Sequence, residues 1–217
     1  MAVVPLSDAS RSPASFPILT ALIVAVNAVC FVLELQGGDA FVLRWSLIPA
    51  QIAAGHHLIT LITAMYMHAS WLHIIGNMVF LWAFGPVIED AMRPLPYFIF
   101  YHIGGVVGML CQIALSPHMT EPCLGASGAI AAVMGAFVVT YPRDRIKSLL
   151  FLGWFVRVTL IPAALLIGMW FLLQLVNAGA VVSEQQSTGV AYAAHIGGML
   201  FGAIFGRLFE APRRLFS

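Results

Sequence analysis

Residues 190–208 read VAYAAHIGGMLFGAIFGRL, and this stretch decides the fold. Apart from Tyr192, its only ionisable side chains are His195 and Arg207. An α-helix needs about 20 apolar residues to cross the hydrocarbon core of a bilayer, so we predict a transmembrane helix here. Gly198 and Gly202 are spaced four residues apart, and a row of small residues lets a second helix approach closely in a membrane.

The composition of the whole chain agrees with a membrane protein. Of its 217 residues, 61% are hydrophobic and 9% are charged, whereas a soluble domain carries about 25% charged residues. The net charge of +1 gives no electrostatic argument for a nucleic-acid partner. We therefore predict an integral multi-pass membrane protein whose partners include the lipid bilayer and exclude nucleic acid.

Six apolar runs are candidates for spans, which predicts an all-α bundle of six transmembrane helices. A segment over residues 37–71 is too interrupted to span, and we expect an interfacial or partly re-entrant loop, L1, between the first two helices. The membrane domain then covers residues 16–208, between short tails at 1–15 and 209–217. The predicted spans are Ile18–Gln36, Leu72–Ile88, Tyr97–Leu115, Ser127–Tyr141, Arg157–Val176 and Val190–Leu208.

The distribution of Lys and Arg predicts the orientation of this bundle. Cytoplasmic loops carry an excess of Lys and Arg, which predicts that both termini are cytoplasmic. Because no organellar transit pattern precedes the first span, we expect a bacterial inner membrane. With the N terminus inside, Arg44 is the only basic residue outside, and the inner segments hold Arg11, Arg93, Arg143, Arg145, Lys147, Arg157, Arg207, Arg213 and Arg214.

Polar residues inside the spans occur at one predicted depth. His73 and Asn77 are four residues apart and share a face of the second helix. Ser127 begins the fourth span and His195 lies in the outer third of the sixth, and spans two, four and six all run from outside to inside. An ionisable residue within a membrane is by default a functional-site hypothesis. The sequence therefore predicts a polar site near the outer end of the bundle.

Two rows of small residues predict how this site is assembled. Ala131 and Gly135 continue the face of Ser127 at four-residue spacing, and Gly198 and Gly202 continue the face of His195. If these rows pack together, the Ser127 hydroxyl approaches the His195 ring. Gly125 and Gly128 flank the serine and let backbone come close to it.

This set of residues predicts serine nucleophilic chemistry. A serine hydroxyl needs a base within hydrogen-bond reach, and no acidic residue lies in the spans near His195. We therefore predict a Ser127–His195 dyad that uses no cofactor. Donors for an oxyanion are available from Asn77, His73 and the Ser127 N–H group.

Other readings of the same residues stay open. Ser127 taken alone is a small packing residue, and the group of His68, His73 and Asn77 is an interfacial polar cluster that ties L1 down. Three histidines on the outer side are enough to suggest a metal site, but no Cys or carboxylate occurs at matching spacing. A small transporter is disfavoured because no pair of broken helices occurs in matching halves.

The chain resembles the rhomboid intramembrane serine proteases. The resemblance covers about residues 16–208. Two positions depart from common family patterns: Ile59-Thr60 stands in L1 where many members have Trp-Arg, and Ala131 stands where some have a Tyr that stacks on the histidine. The shared motifs are His68-ASWL-His73-IIG-Asn77, Gly125-A-Ser127-Gly128 and Ala194-His195-IG-Gly198-MLF-Gly202.

The resemblance implies specific roles and a rival function. It implies that Ser127 is the nucleophile, that His195 is the base, and that His73 and Asn77 assist the oxyanion. Transmembrane protein substrates would then be cleaved near the outer face. From the residues themselves we expect His68 to support L1, and the Ser, Gln and Gly of residues 179–189 to form a mobile cap. The rival is a catalytically inactive rhomboid-like protein that binds membrane proteins for quality control. The oligomeric state is not specified by the sequence.

Overall fold

The structure is a computed structural model that describes residues 2–184 and 191–212. Five of the described helices are long and apolar enough to cross a membrane, and a sixth apolar helix is shorter. The predicted helical membrane bundle is confirmed. These helices are α1 (Ile18–Trp45), α4 (Trp71–Met92), α5 (Pro94–Leu115), the short α6 (Ser127–Thr140), α7 (Ala163–Glu184) and α8 (Tyr192–Phe205).

Helix α6 is the centre of the bundle. Its residues from Gly128 to Phe137 are all buried, as expected for a helix that is apolar on every face. Its 14 residues span only about 21 Å, less than the roughly 30 Å hydrocarbon core. It can be this short because other helices surround it, and α8, α5 and α4 make its most extensive contacts among the described elements.

The crossing of α6 and α8 is close because it is built on glycine. A Cβ atom on Gly198 would overlap the Gly128 carbonyl oxygen, and one on Gly202 would overlap the Ala132 carbonyl oxygen. From the other side, a Cβ on Gly135 would overlap the Met199 carbonyl oxygen. The two small-residue rows therefore lie against each other, backbone to backbone.

L1 is a compact segment that is attached to the bundle by main-chain hydrogen bonds. Gly38 has φ 59° and breaks α1, so the last residues of that helix form the start of L1. Two short helices follow, α2 (Pro49–Ala53) and α3 (Thr60–Thr63), and then a 3-10 turn at Ala64–Tyr66. Leu47 and Cys123 form an antiparallel bridge, which joins L1 to the loop that precedes α6.

The start of α1 is fixed by a carboxylate from α4. Glu89 is buried and accepts hydrogen bonds from the main-chain N–H groups of Leu19 and Thr20, at 2.9 and 2.8 Å, and from the Thr20 hydroxyl at 2.7 Å. The first N–H groups of a helix lack partners within the helix. The Glu89 carboxylate accepts from two of these N–H groups and ties the start of α1 to the end of α4.

A three-stranded antiparallel sheet, which the sequence analysis did not predict, occupies the end of the bundle where α6 ends and α7 begins. Its strands are β1 (Ala2–Asp8), β2 (Arg145–Leu152) and β3 (Phe155–Pro162), in the order β1-β2-β3. The predicted start of span five at Arg157 is wrong, since that residue lies in β3 and α7 starts at Ala163. Valine, threonine and isoleucine in β3 favour a strand, and an apolar window alone does not separate a strand from a helix.

Candidate active site

Ser127 and His195 are in direct contact at the α6–α8 crossing. The Ser127 Oγ and the His195 Nε2 are 2.6 Å apart. Ser127 is the first residue of α6 and His195 lies in the first turn of α8, so both side chains are at the same end of the bundle. The close glycine packing brings the two helix starts within reach of each other.

A glutamine from α7 fixes the tautomer of His195. The Gln174 Oε1 is 2.7 Å from the His195 Nδ1, and the Gln174 Nε2 donates to the Trp170 carbonyl oxygen at 3.2 Å. An amide oxygen can only accept, so Nδ1 carries the hydrogen. Nε2 is then the acceptor for the Ser127 hydroxyl, as a general base requires.

Trp170 also packs on the His195 ring. Their ring centroids are 5.6 Å apart with an interplanar angle of 39°. Trp170 and Gln174 are four residues apart and share one face of α7. Ala131, which the resemblance aligns with a stacking tyrosine, is fully buried against Gly198. The aromatic neighbours of His195 therefore come from α7 and, with Tyr192 at a centroid distance of 6.3 Å, from α8 itself, and not from α6.

His73 lies over the turn that leads into α6. Gly125 has φ 128°, and a Cβ built on it would be 2.8 Å from the His73 Nε2 and 3.6 Å from the Ser127 Oγ. A side chain at this position would be strained and would displace the His73 ring. Glycine thus allows His73 to approach the serine. The Ser70 hydroxyl accepts from the His73 main-chain N–H at 3.2 Å and caps the start of α4.

Asn77 is held by His68 at the end of L1. The Asn77 Nδ2 donates to the His68 Nε2 at 2.9 Å. The main-chain N–H of His68 is bonded to both carboxylate oxygens of Glu34, each at 3.0 Å. Burial, followed by the nearby His73, lowers the pKa of His68 to about 3, so this ring stays neutral and accepts. One amide N–H of Asn77 is thereby used and the second remains available for a ligand.

These residues line one cavity. It has a volume of about 470 Å³, which is within the size range of ligand pockets. Its wall is largely apolar. The residues that line it include His73, Asn77, Ser127, Trp170 and His195, together with Leu72, Phe80, Ile130 and Met134.

Three residues that act on this site are not among those predicted from the sequence. Gln174 and Trp170 lie within a predicted apolar span. A single amide in such a run is a signal of a functional role. Glu34 is the third residue, and it is only 5% exposed in α1. The expected cap over residues 179–189 falls partly on the end of α7, and residues 185–190 lie outside the described part of the chain.

Over residues 2–184 and 191–212, no group of three His, Cys, Asp or Glu side chains could hold a metal ion. The rings of His68 and His73 are close, with centroids 5.0 Å apart. His73 and His195 line the cavity, whereas the His68 Nε2 already accepts from Asn77. The contacts that hold Ser127, His195, Asn77 and His68 in place are hydrogen bonds.

Comparison with known proteins gives one family match. The model of the Rhomboid domain matches residues 55–211, a range that begins within L1 and includes the cavity-lining residues. At the level of whole sequences, the chain is 29% identical over 154 residues to Rhomboid protein 1, mitochondrial, of Saccharomyces cerevisiae. It is 27% identical over 202 residues to Rhomboid protease GluP of Bacillus subtilis.

The matched relatives are longer than this chain. The alignments cover 68% and 91% of this chain but only 41% and 36% of the yeast and Bacillus proteins. For RHOMBOID-like protein 12, mitochondrial, of Arabidopsis thaliana, 26% identity extends over 84% of this chain and 55% of the relative. The names of these relatives include mitochondrial proteins as well as one from a bacterium, so the predicted bacterial inner membrane stays a prediction.

Proposed function

This chain belongs to the rhomboid family, and on that premise we propose that it is an intramembrane serine endopeptidase. The proposal is carried by the hydrogen-bonded chain from Ser127 through His195 to Gln174, at 2.6 and 2.7 Å. A nucleophile, a base and a group that orients the base are the parts that activated serine requires. In this proposal, the amide of Gln174 has the orienting role that a carboxylate has in many serine hydrolases.

The first step is acylation of Ser127. The Ser127 proton passes to the His195 Nε2 while Oγ attacks the scissile carbonyl carbon, and a C–O bond forms. The protonated His195 then gives this proton to the leaving amine nitrogen as the C–N bond breaks. In the second step, His195 takes a proton from water, the hydroxide attacks the ester, and Ser127 leaves with its proton restored.

The oxyanion of each tetrahedral intermediate needs fixed donors. In this proposal the donors are the amide N–H of Asn77 that His68 does not use, the His73 ring and the Ser127 main-chain N–H, since all three residues line the cavity. Such donors are worth about 10²- to 10³-fold in kcat each. The Ser127 N–H belongs to the first turn of α6, where N–H groups have no partner within the helix.

The substrate class follows from the position of the cavity. Ser127 and His195 lie at the starts of transmembrane helices, so a peptide bond must reach them within or just beneath one membrane surface. A transmembrane segment of another protein can supply such a bond if its end unwinds, since helical peptide groups are shielded by their own hydrogen bonds. We propose that this end is the outer one, as the predicted orientation requires.

The test is cleavage of a single-span model substrate by purified protein in vesicles, together with labelling by a fluorophosphonate. Wild type should cleave the substrate and take up one label. Ser127→Ala and His195→Ala should do neither, and Ser7→Ala, which changes an exposed serine outside the cavity, should behave as wild type.

The alternative function makes the opposite prediction. An inactive rhomboid-like binder would retain the single-span protein equally well in wild type and Ser127→Ala, without product. Cleavage that persists in purified Ser127→Ala would overturn the proposed mechanism. Absence of both cleavage and labelling in folded wild type would favour the binder.

A further inference from the structure

The hairpin formed by β2 and β3 has an exposed apolar surface that the proposed catalytic function does not use. Cross-strand partners in β2 and β3 share a face of the sheet. On one face, Ile146 and Ser148 are fully buried against the bundle. The opposite face carries Val156, Val158 and Leu160, which are 57%, 50% and 48% exposed.

The tip of this hairpin is aromatic. Leu152 pairs with Phe155, which leaves Gly153 and Trp154 as a two-residue turn, and Gly153 has φ 61°. Glycine at the first position of such a turn is a usual hairpin solution. Trp154 is 99% exposed and Phe155 is 77% exposed. Two large aromatic side chains in water at a turn are an unusual arrangement for a soluble surface.

The charge of the hairpin is entirely positive. Residues 145–162 include Arg145, Lys147 and Arg157, all exposed, and contain no Asp or Glu. Arg143 adds a further exposed cation just before β2. Basic residues next to aromatic ones are the combination that binds at an anionic membrane surface.

The position of the hairpin places it beside a membrane. Both of its ends continue into membrane helices, because Thr140 ends α6 and Ala163 begins α7. The exposed apolar residues also continue along the chain, from Leu160 in β3 to Leu165 and Met169 on the outer face of α7. That face of α7 is lipid-exposed if α7 spans the bilayer, so the apolar face of the hairpin extends an existing lipid-contacting surface.

We infer that the β2–β3 hairpin is a membrane-surface anchor, which inserts Trp154 and Phe155 at the boundary of headgroups and acyl chains. It contacts anionic headgroups through Lys147, which lies on the exposed apolar face, and through Arg157, which lies on the other face close to the tip. The occupant of the apolar face is thus lipid. Insertion is shallow, since the outer edge of β3 has strand N–H and C=O groups that need water or headgroup partners.

The experiment measures the depth of the tip in vesicles. The three native cysteines are replaced by alanine, and an environment-sensitive fluorophore is attached at Trp154→Cys or, as control, at Ser12→Cys, an exposed position in the segment after β1. With the protein in vesicles of phosphatidylcholine and phosphatidylglycerol, the label at 154 should show blue-shifted emission, quenching by nitroxide lipids and protection from aqueous iodide. The label at 12 should show no blue shift, little quenching by nitroxide lipids and strong quenching by aqueous iodide.

A second part of the experiment tests whether Lys147 and Arg157 contribute to binding at the membrane surface. Lys147→Glu with Arg157→Glu should reduce lipid quenching of the label at 154 in vesicles that contain phosphatidylglycerol, and should change little in pure phosphatidylcholine. Equal iodide quenching at 154 and 12 would overturn the inference. Protection at 154 that appears only at high protein-to-lipid ratios would also overturn it, because a second copy of the chain would then cover this face.

Discussion

The geometry of His195 depends on residues that come from a different helix. Its Nδ1 faces Gln174 and its ring lies against Trp170, both on α7. Its Nε2 faces Ser127 on α6. A base held on both nitrogens has a defined tautomer and little freedom to rotate. At the scale of single residues, Ser127, His195 and Gln174 therefore form one hydrogen-bonded chain.

Replacing Gln174 by Leu should lower kcat by about 10- to 100-fold with little change in KM, since general-base catalysis is worth about 100-fold or more and depends on the correct tautomer. Gln174→Glu keeps an acceptor at Nδ1 and should restore most of the rate. Steady-state cleavage of a model substrate in vesicles provides both constants.

The matched control for this prediction is Gln112→Leu. Gln112 is also a buried glutamine, and its side chain accepts from the Ala193 main-chain N–H at 3.2 Å without touching His195. The Gln112→Leu variant should have lower thermal stability than wild type but a kcat near the wild-type value. If both variants lose the same activity, Gln174 has only a structural role.

His68 should make the stability of the protein sensitive to acid. Its pKa in the folded state is lowered from 6.5 to about 3 by burial, so the unfolded chain takes up this proton more readily. The stability that comes from the neutral ring is complete above pH 6.5 and is lost as the pH falls from there towards 3, at up to about 1.4 kcal/mol per pH unit.

The measurement is the Tm of wild type and His68→Gln in detergent from about pH 7.5 to about pH 4. Glutamine can still accept from Asn77 but does not titrate. Wild type should lose Tm more steeply with acid than the variant does. Parallel curves would show that His68 is protonated equally easily in both states.

At the scale of elements, the crossing of α6 and α8 is the contact on which the site depends. Gly198 lies against the Gly128 carbonyl, one residue from Ser127, and Gly202 lies against the Ala132 carbonyl. Main chain meets main chain here, so an added methyl group has no flexible neighbour to displace. The helices would have to separate, and separation also lengthens the Ser127–His195 hydrogen bond.

Gly202→Ala should therefore destabilise the protein by about 1–3 kcal/mol, as overpacking of a tight contact does, and should reduce cleavage. Gly168→Ala in α7 is the matched control, since a Cβ there has nothing within 4 Å. It should be neutral or slightly stabilising because alanine favours a helix. Thermal unfolding and substrate cleavage report the two effects, and equal effects of both variants would contradict the packing argument.

At the scale of the molecule, the bundle has two different ends. The cavity lies at the end where α4, α6 and α8 begin. The opposite end holds the sheet and the ion pair between Arg11 and Asp144. The excess of basic residues is at this second end, which is predicted to be cytoplasmic.

This orientation can be measured by labelling single cysteines in sealed vesicles of known sidedness. After removal of the native cysteines, Arg143→Cys should react with an impermeant maleimide only from the cytoplasmic side. His118→Cys, in the exposed loop between α5 and α6, should react only from the outer side. The reverse pattern would show that the positive-inside argument fails for this chain.

The sequence by itself was sufficient for the class of fold. Apolar length, the Lys and Arg distribution and the four-residue rows at Ser127 and His195 are local properties, and a helix in lipid must satisfy its own backbone. The predicted six-helix layout followed from them. The same local reasoning failed at Arg157, because periodicity alone does not separate a strand from a helix over a short apolar stretch.

Only the tertiary structure decided what surrounds the predicted dyad. Gln174 and Trp170 are separated from His195 by about 20 residues of chain, and no spacing rule connects one helix face with another. The bond of Asn77 to His68, and of His68 to Glu34, likewise depends on how L1 folds back on α1 and α4. Periodicity specifies which residues share a face, whereas the packing of helices specifies which faces meet.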